Sequence, residues 1–127
     1  EENVLDMVRA HPKTTFYFYT PPYSIVWWYT QQCYGNVLRY FEAEKLQAEM
    51  LLEYDNVKLY SFADMFDLTQ DLDNYKDDKH YNAEISDKII DWIYDGTGLI
   101  TKENYEERIS KMEEFYLNQV SESSFSE

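Results

Sequence analysis

The sequence contains few cysteines, glycines, prolines and basic residues. It has one Cys, three Gly and three Pro in 127 residues, and 11 basic side chains stand against 25 acidic ones, a net charge of −14. The lone Cys33 cannot form an internal disulfide, and no Cys/His cluster has zinc-site spacing, so disulfide and zinc scaffolds are excluded. The negative charge argues against nucleic acid and anionic membranes as partners, because both are bound through Lys and Arg.

Long apolar runs are also missing, yet hydrophobic residues are plentiful. No segment approaches the roughly 18 apolar residues of a membrane span. A composition of 44% hydrophobic and 18% aromatic residues is far from that of a disordered chain. The length fits one domain, which we place at residues 1–120, with residues 121–127 as a disordered Ser- and Glu-rich tail. Because the chain begins with Glu1 rather than Met, we expect further sequence upstream.

The order of the periodic segments predicts an α/β fold. Residues 14–20 are a β-branched and aromatic run that reads as a buried parallel strand, and residues 57–62 read as a second strand. Between them, residues 32–54 carry a helical apolar stripe, which makes a βαβ unit. Residues 23–29 fit either a loop or a first helical turn. Residues 67–81 have no helical or strand period and are predicted to be a long polar loop.

Helices are predicted on both sides of this βαβ unit. A short N-terminal helix should end at His11-Pro12, because the residue before proline is pushed out of the helical region. Two C-terminal helices are marked by Asn82 as N-cap and Gly96 as C-terminal stop, and by Thr101 as N-cap. Two strands do not close a parallel sheet. We therefore expect the C-terminal half of a larger α/β domain, or a second copy that supplies the missing surface.

The densest group of functional side chains is Asp77-Asp78-Lys79-His80, at the end of the long loop. In open α/β sheets, ligands bind beyond the carboxyl ends of the strands, where such loops lie. A carboxylate three residues before a histidine can accept the Nδ1 proton and leave Nε2 as a general base. The spacing therefore predicts a catalytic Asp77–His80 dyad; the alternative is an exposed loop histidine among surface acids.

Asp77-x-x-His80, followed by a helix that opens at Tyr81-Asn82, resembles the D-x-x-H block of the SGNH (GDSL-like) hydrolases and acyltransferases. The strand, helix, strand and loop upstream occur in the family's order, so the resemblance covers roughly residues 14–95. It implies a flavodoxin-like three-layer domain and a Ser-His-Asp triad in which Asp77 orients the base His80. The family's Gly-Asp-Ser nucleophile and Gly-x-Asn oxyanion motifs are absent from this sequence. The resemblance thus implies the C-terminal part of an ester hydrolase or O-acyltransferase, inactive without the upstream serine.

An aromatic cluster follows the first strand at the same predicted sheet edge. Tyr23, Trp27 and Trp28 could wall a pocket for a sugar or an acyl chain, since flat amphipathic rings stack on both. Alternatively, they pack in the core or against the missing half. An interaction module that presents Trp27, Trp28 and Tyr29 to a protein partner, with no catalysis, is the competing function.

Four other candidates are set aside. The Asp71-x-Asp73 loop imitates a calcium loop but has Lys76 where Gly is needed. Cys33 has no catalytic signature, and His11 reads as a surface residue. Ser24 lacks the context of a nucleophile elbow. No metal and no cofactor is therefore predicted. The expected partners are an ester or acylated carbohydrate substrate and a second copy or the missing half, and the family resemblance favours an extracytoplasmic or envelope location over the cytoplasm.

Overall fold

The computed structural model describes residues 2–77 and 80–121, which form a mixed α/β fold. In chain order its elements are α1 (Glu2–Ala10), β1 (Phe16–Thr20), α2 (Ile25–Cys33), α3 (Val37–Leu51), β2 (Val57–Ser61), α4 (Phe66–Gln70), a 3-10 turn (Leu72–Asn74), α5 (Ala83–Asp95), β3 (Leu99–Ile100) and α6 (Tyr105–Ser121). The α/β prediction is confirmed at this level. The predicted tail lies outside the described residues, apart from Ser121 at the end of α6.

The described strands form one mixed sheet in the order β1-β2-β3. β1 and β2 are parallel, with Phe16 opposite Val57 and Thr20 opposite Ser61, and β3 is antiparallel to β2. The predicted parallel pair joined by helices is therefore confirmed. Both parallel strands end at the same edge of the sheet, so the chain segments that follow Thr20 and Ser61 start side by side.

Helices lie on both faces of the sheet because the side chains of β2 alternate. Val57 packs with Val8 of α1 and Leu51 of α3 on one face. Tyr60 packs on the other face with Ile85 and Ile89 of α5. The sheet is therefore a middle layer between α5 and the group of α1, α3 and α6.

The largest cluster of buried residues lies where α2, α3 and α6 meet. Trp28 is fully buried there, stacked between Phe41 and Tyr116 with ring centroids 5.0 and 4.4 Å away. Buried aromatic rings of this size dominate core energetics. Helix α2 is thus fixed to the domain through Trp28.

The structure corrects the sequence prediction in three places. The predicted helix over residues 32–54 is shorter, since α3 spans Val37–Leu51, and a separate helix α2 covers most of the segment 23–29 that fitted either a loop or a first helical turn. The predicted loop over residues 67–81 contains most of the helix α4 and a 3-10 turn. The third strand, β3, was not predicted, because a strand of two residues has no period of its own.

The predicted ends of α5 are confirmed, whereas α6 begins at Tyr105, four residues after its predicted N-cap Thr101. Asn82 is the N-cap of α5, and Gly96 ends that helix in the left-handed conformation. Thr101 and Asn104 exchange hydrogen bonds between side chain and backbone N–H at 3.2 and 2.8 Å, a reciprocal cap in the turn that leads into α6. Because Asn82 fixes the start of α5, it also fixes the position of the segment before that helix, which contains His80.

Candidate functional site

The segment that carries the predicted dyad is a short closed loop. Tyr75 and Tyr81 form an isolated antiparallel bridge, and the Lys76 N–H donates to the His80 carbonyl at 2.7 Å. Just outside the bridge, the Asn82 N–H donates to the Asn74 carbonyl at 2.9 Å. These bonds close the loop at its base and fix the backbone on which His80 stands.

Asp77 and His80 are brought together within this loop. The Nδ1 atom of His80 lies 2.9 and 3.0 Å from the two carboxylate oxygens of Asp77, and the His80 backbone N–H donates to the same carboxylate at 2.8 Å. Both side chains are more than half exposed, at 67% for His80 and 54% for Asp77. An Nδ1–H that donates to a carboxylate leaves Nε2 as the ring nitrogen that exchanges protons. Asp78 and Lys79 lie outside the described residues.

An open cleft of about 550 Å³ surrounds the dyad. One wall follows β1, and the other consists of the dyad loop and the first turn of α5. Its lining residues are Pro21, Tyr23, Lys76, Asp77, His80, Tyr81 and Ser86. The cleft therefore lies beyond the carboxyl end of β1, and α/β sheets bind ligands beyond the carboxyl ends of their strands.

The three aromatic residues predicted to bind substrate have different positions. Tyr23 lines the cleft, and its ring lies against that of Trp27 with centroids 4.2 Å apart. Trp27 is half-buried and supports Tyr23 without lining the cleft. Trp28 corrects the prediction, because it is fully buried in the core and cannot touch a ligand in the cleft. For the same reason it cannot belong to an exposed interaction patch with Trp27 and Tyr29.

A tyrosine hydroxyl attaches the dyad loop to the segment that follows β1. The Tyr75 hydroxyl donates to the Pro22 carbonyl at 2.6 Å. Burial, and after it the neighbouring Tyr19 side chain, raises the pKa of Tyr81 to about 12. Burial likewise raises the pKa of Tyr75. Both hydroxyls therefore stay protonated near neutral pH.

The residues that were set aside as catalytic or metal-binding candidates lie at helix caps or on the surface. Buried Ser24 caps α2 by accepting the Trp27 N–H at 3.2 Å, and Asp71 caps the 3-10 turn through the Asp73 N–H at 3.1 Å. Cys33 and His11 are exposed. Within residues 2–77 and 80–121, no group of three or more acidic, His or Cys side chains could hold a metal ion.

Sequence reasoning missed three polar residues of the cleft: Lys76, Tyr81 and Ser86. Tyr81 and Ser86 flank the N-cap of α5, so their closeness to the D-x-x-H block was a usable signal. Lys76 directly precedes Asp77 and carried the same signal. On the opposite wall, the sequence analysis named Tyr23 and missed Pro21, whose contact with this loop depends on strand pairing.

Comparisons of this chain with protein-family models, with curated proteins and with solved structures find no match. In the part of the chain that the structure describes, no helix is both long and apolar enough to cross a bilayer. The interpretation of the site therefore depends on its geometry and on the D-x-x-H resemblance.

Proposed function

We propose that this chain supplies the Asp–His half of a Ser-His-Asp triad, as the C-terminal part of a serine ester hydrolase or O-acyltransferase of the SGNH type. The observation that carries the proposal is the 2.9 Å contact between Asp77 and His80 Nδ1 in a cleft beyond the carboxyl end of the parallel strand β1. The same three-layer order of helices and sheet is expected of a flavodoxin-like domain.

In this mechanism Asp77 holds the His80 ring in the tautomer that carries its proton on Nδ1. Nε2 then takes the proton of a serine hydroxyl as the oxygen attacks the ester carbonyl, and returns it to the leaving alkoxide. Water or a second hydroxyl then releases the acyl group through the same base. The sequence lacks a Gly-Asp-Ser motif, so the serine and the oxyanion donors come from another part of the enzyme. The chain alone is then inactive.

Tyr23 and the rest of the cleft favour an ester on an amphipathic or hydroxylated molecule, such as an acylated carbohydrate. The Tyr23 ring is held in place by Trp27 and offers a flat face beside His80. Lys76 and Ser86 add hydrogen-bond donors to the opposite wall. Flat rings with nearby polar groups suit the apolar face and the hydroxyls of a sugar. An extracytoplasmic or envelope location is part of the same proposal and rests on the resemblance.

The remaining half of the sheet has a place to dock in this proposal. No strand of the described residues pairs with the outer edge of β1, and Tyr17 and Tyr19 on that strand are 54% and 42% exposed. A free strand edge with exposed aromatic side chains favours addition of another strand. The rest of the enzyme, or a second copy of this chain, would supply it.

The test uses the protein encoded by the whole reading frame that contains this chain. We expect a fluorophosphonate probe to label a serine upstream of Glu1, and ester hydrolysis to fall about 10⁴-fold in Asp77→Asn and at least as far in His80→Ala. His11→Ala is the control histidine, which lies outside the cleft and should leave the rate unchanged. A reading frame without an upstream Gly-Asp-Ser-type turn, or full activity in His80→Ala, would refute the proposal.

A further inference from the structure

A hydrogen bond joins the two walls of the cleft. The Tyr75 hydroxyl donates to the carbonyl oxygen of Pro22 at 2.6 Å across 53 residues of sequence. Pro22 is buried and lies between Pro21 and Tyr23, which both line the cleft. Tyr75 is the first residue of the closed loop that carries the dyad. Its hydroxyl therefore links the wall after β1 to the base of the dyad loop.

The loop transmits the position of Tyr75 to His80. Tyr75 bridges Tyr81, and the next residue, Lys76, donates its N–H to the His80 carbonyl at 2.7 Å. Asp77 and His80 are bonded to each other inside this ring of contacts, so they move with it as a unit. The internal geometry of the dyad thus depends on the loop, and its distance from Tyr23 depends on how the loop is attached.

We propose that Tyr75 is a positioning residue, whose bond to the Pro22 carbonyl sets the distance between His80 and the Tyr23 wall. The catalytic consequence rests on the proposed function, whereas the positioning itself does not. Removal of the Tyr75 hydroxyl therefore loosens the loop from the wall that follows β1.

The test is an NMR comparison of the 127-residue chain with its Tyr75→Phe and Tyr116→Phe variants. Tyr116 is the control, because its buried hydroxyl also donates to a backbone carbonyl, that of Ala63, but lies in the core, where it also shares a hydrogen bond with the Thr69 hydroxyl at 3.2 Å. Both variants should lower Tm by a few degrees. Only Tyr75→Phe should shift the NMR signals of the His80 ring protons. It should also speed amide hydrogen exchange at Lys76 and His80 by about tenfold, which corresponds to the net free energy of one hydrogen bond.

The outcomes separate positioning from plain stability. A Tyr75→Phe variant whose His80 ring shifts and amide exchange match those of the wild type, or of Tyr116→Phe, would overturn the proposal. If Tyr75→Phe alone fails to fold, the Tyr75 hydroxyl proton of the wild-type chain gives a second NMR readout, and free exchange of that proton with water would also overturn the proposal. No substrate is used, so the result stands whether or not His80→Ala abolishes hydrolysis. In the active enzyme, Tyr75→Phe should lower kcat more than it changes KM.

Discussion

The carboxyl group of Glu44 lies largely out of solvent on α3, beside the carboxyl ends of β1 and β2. It accepts a hydrogen bond from the Thr20 hydroxyl at 2.9 Å, and it takes part in no ion pair among the described residues. Burial raises the pKa of Glu44 above its ordinary value of 4.5, and the bond from Thr20 offsets only part of this effect. Folding therefore shifts the Glu44 carboxyl toward its neutral form relative to the unfolded chain.

The sign of the pH dependence follows from this raised pKa. Because the folded state holds the Glu44 proton more tightly than the unfolded state, its stabilising contribution is complete below pH 4.5 and is lost as the pH rises through the raised value. We expect Glu44→Gln, which can still accept from Thr20, to remove this loss. Unfolding free energies from urea titrations between pH 4 and pH 8 measure it. Glu42→Gln, an exposed neighbour on α3, controls for the net charge, and equal pH profiles for both variants would contradict the prediction.

The side chain of Trp28 is the centre of the largest buried cluster. It is fully buried between Phe41 and Tyr116, so Trp28→Ala should leave a large cavity and cost about 3–5 kcal/mol of the unfolding free energy. Tyr34→Ala, at a side chain 75% exposed, should cost less than about 0.5 kcal/mol. Urea unfolding followed by circular dichroism measures both. A Trp28→Ala chain of native stability would mean that the ring lies outside the core.

Residue patterns predicted the contact of Asp77 with His80 and the place of Tyr23 in the same cleft, but not that Trp28 is buried in the core. Asp77 and His80 are three residues apart, so local geometry brings them together whatever the rest of the fold does. Whether an aromatic residue faces the cleft depends on tertiary packing. The run Tyr23 to Trp28 reads as one aromatic cluster, yet Ser24 caps a helix there, and the helical turn that follows directs Trp28 into the core.

Among the helices and strands, those with strong local sequence signals were predicted. The strand β3, which depends on its pairing with β2, was not. Asn82 and Gly96 mark the ends of α5, and the parallel pair of β1 and β2 follows from a β-rich run on each side of a helical stripe. β3 exists because Gly98 brings its chain against β2, where the Ser61 N–H donates to the Gly98 carbonyl at 3.0 Å. No local pattern encodes that contact.

Gly96 and Gly98 allow a matched test of the close contact between β3 and β2. Both have a left-handed backbone, with φ of +87° and +85°, so an alanine at either position should cost about 1–2 kcal/mol. A Cβ at Gly96 would have open space, whereas one at Gly98 would lie 2.8 Å from the Phe62 ring and 3.0 Å from the Ser61 carbonyl. We expect Gly98→Ala to destabilise the chain by about 1–3 kcal/mol more than Gly96→Ala. Equal losses in thermal unfolding would contradict the close packing of β3.

The outer edge of β1 and the net charge of −14 have opposite effects on the association of the chain with other copies. A strand edge without a partner among the described residues, next to exposed Tyr17 and Tyr19, favours association. A strongly negative surface opposes the stacking of many copies. A closed dimer in which the two β1 edges pair is consistent with both effects. A two-fold axis pairs each edge once and leaves no further edge on that side, so no additional copies stack there.

We therefore predict that the isolated 127-residue chain is a dimer in solution, unless the rest of its sheet is supplied to it. Sedimentation equilibrium at micromolar concentration measures this. Tyr17→Lys with Tyr19→Lys places two like charges at the joined edges and should shift the equilibrium toward monomer, whereas Tyr34→Lys, at the end of α2, should not. A single species of 15.4 kDa with a sharp thermal transition would show instead that the sheet is complete as it stands. In that case β1 would be an ordinary edge strand, and the triad proposal would need its serine from a domain that docks elsewhere.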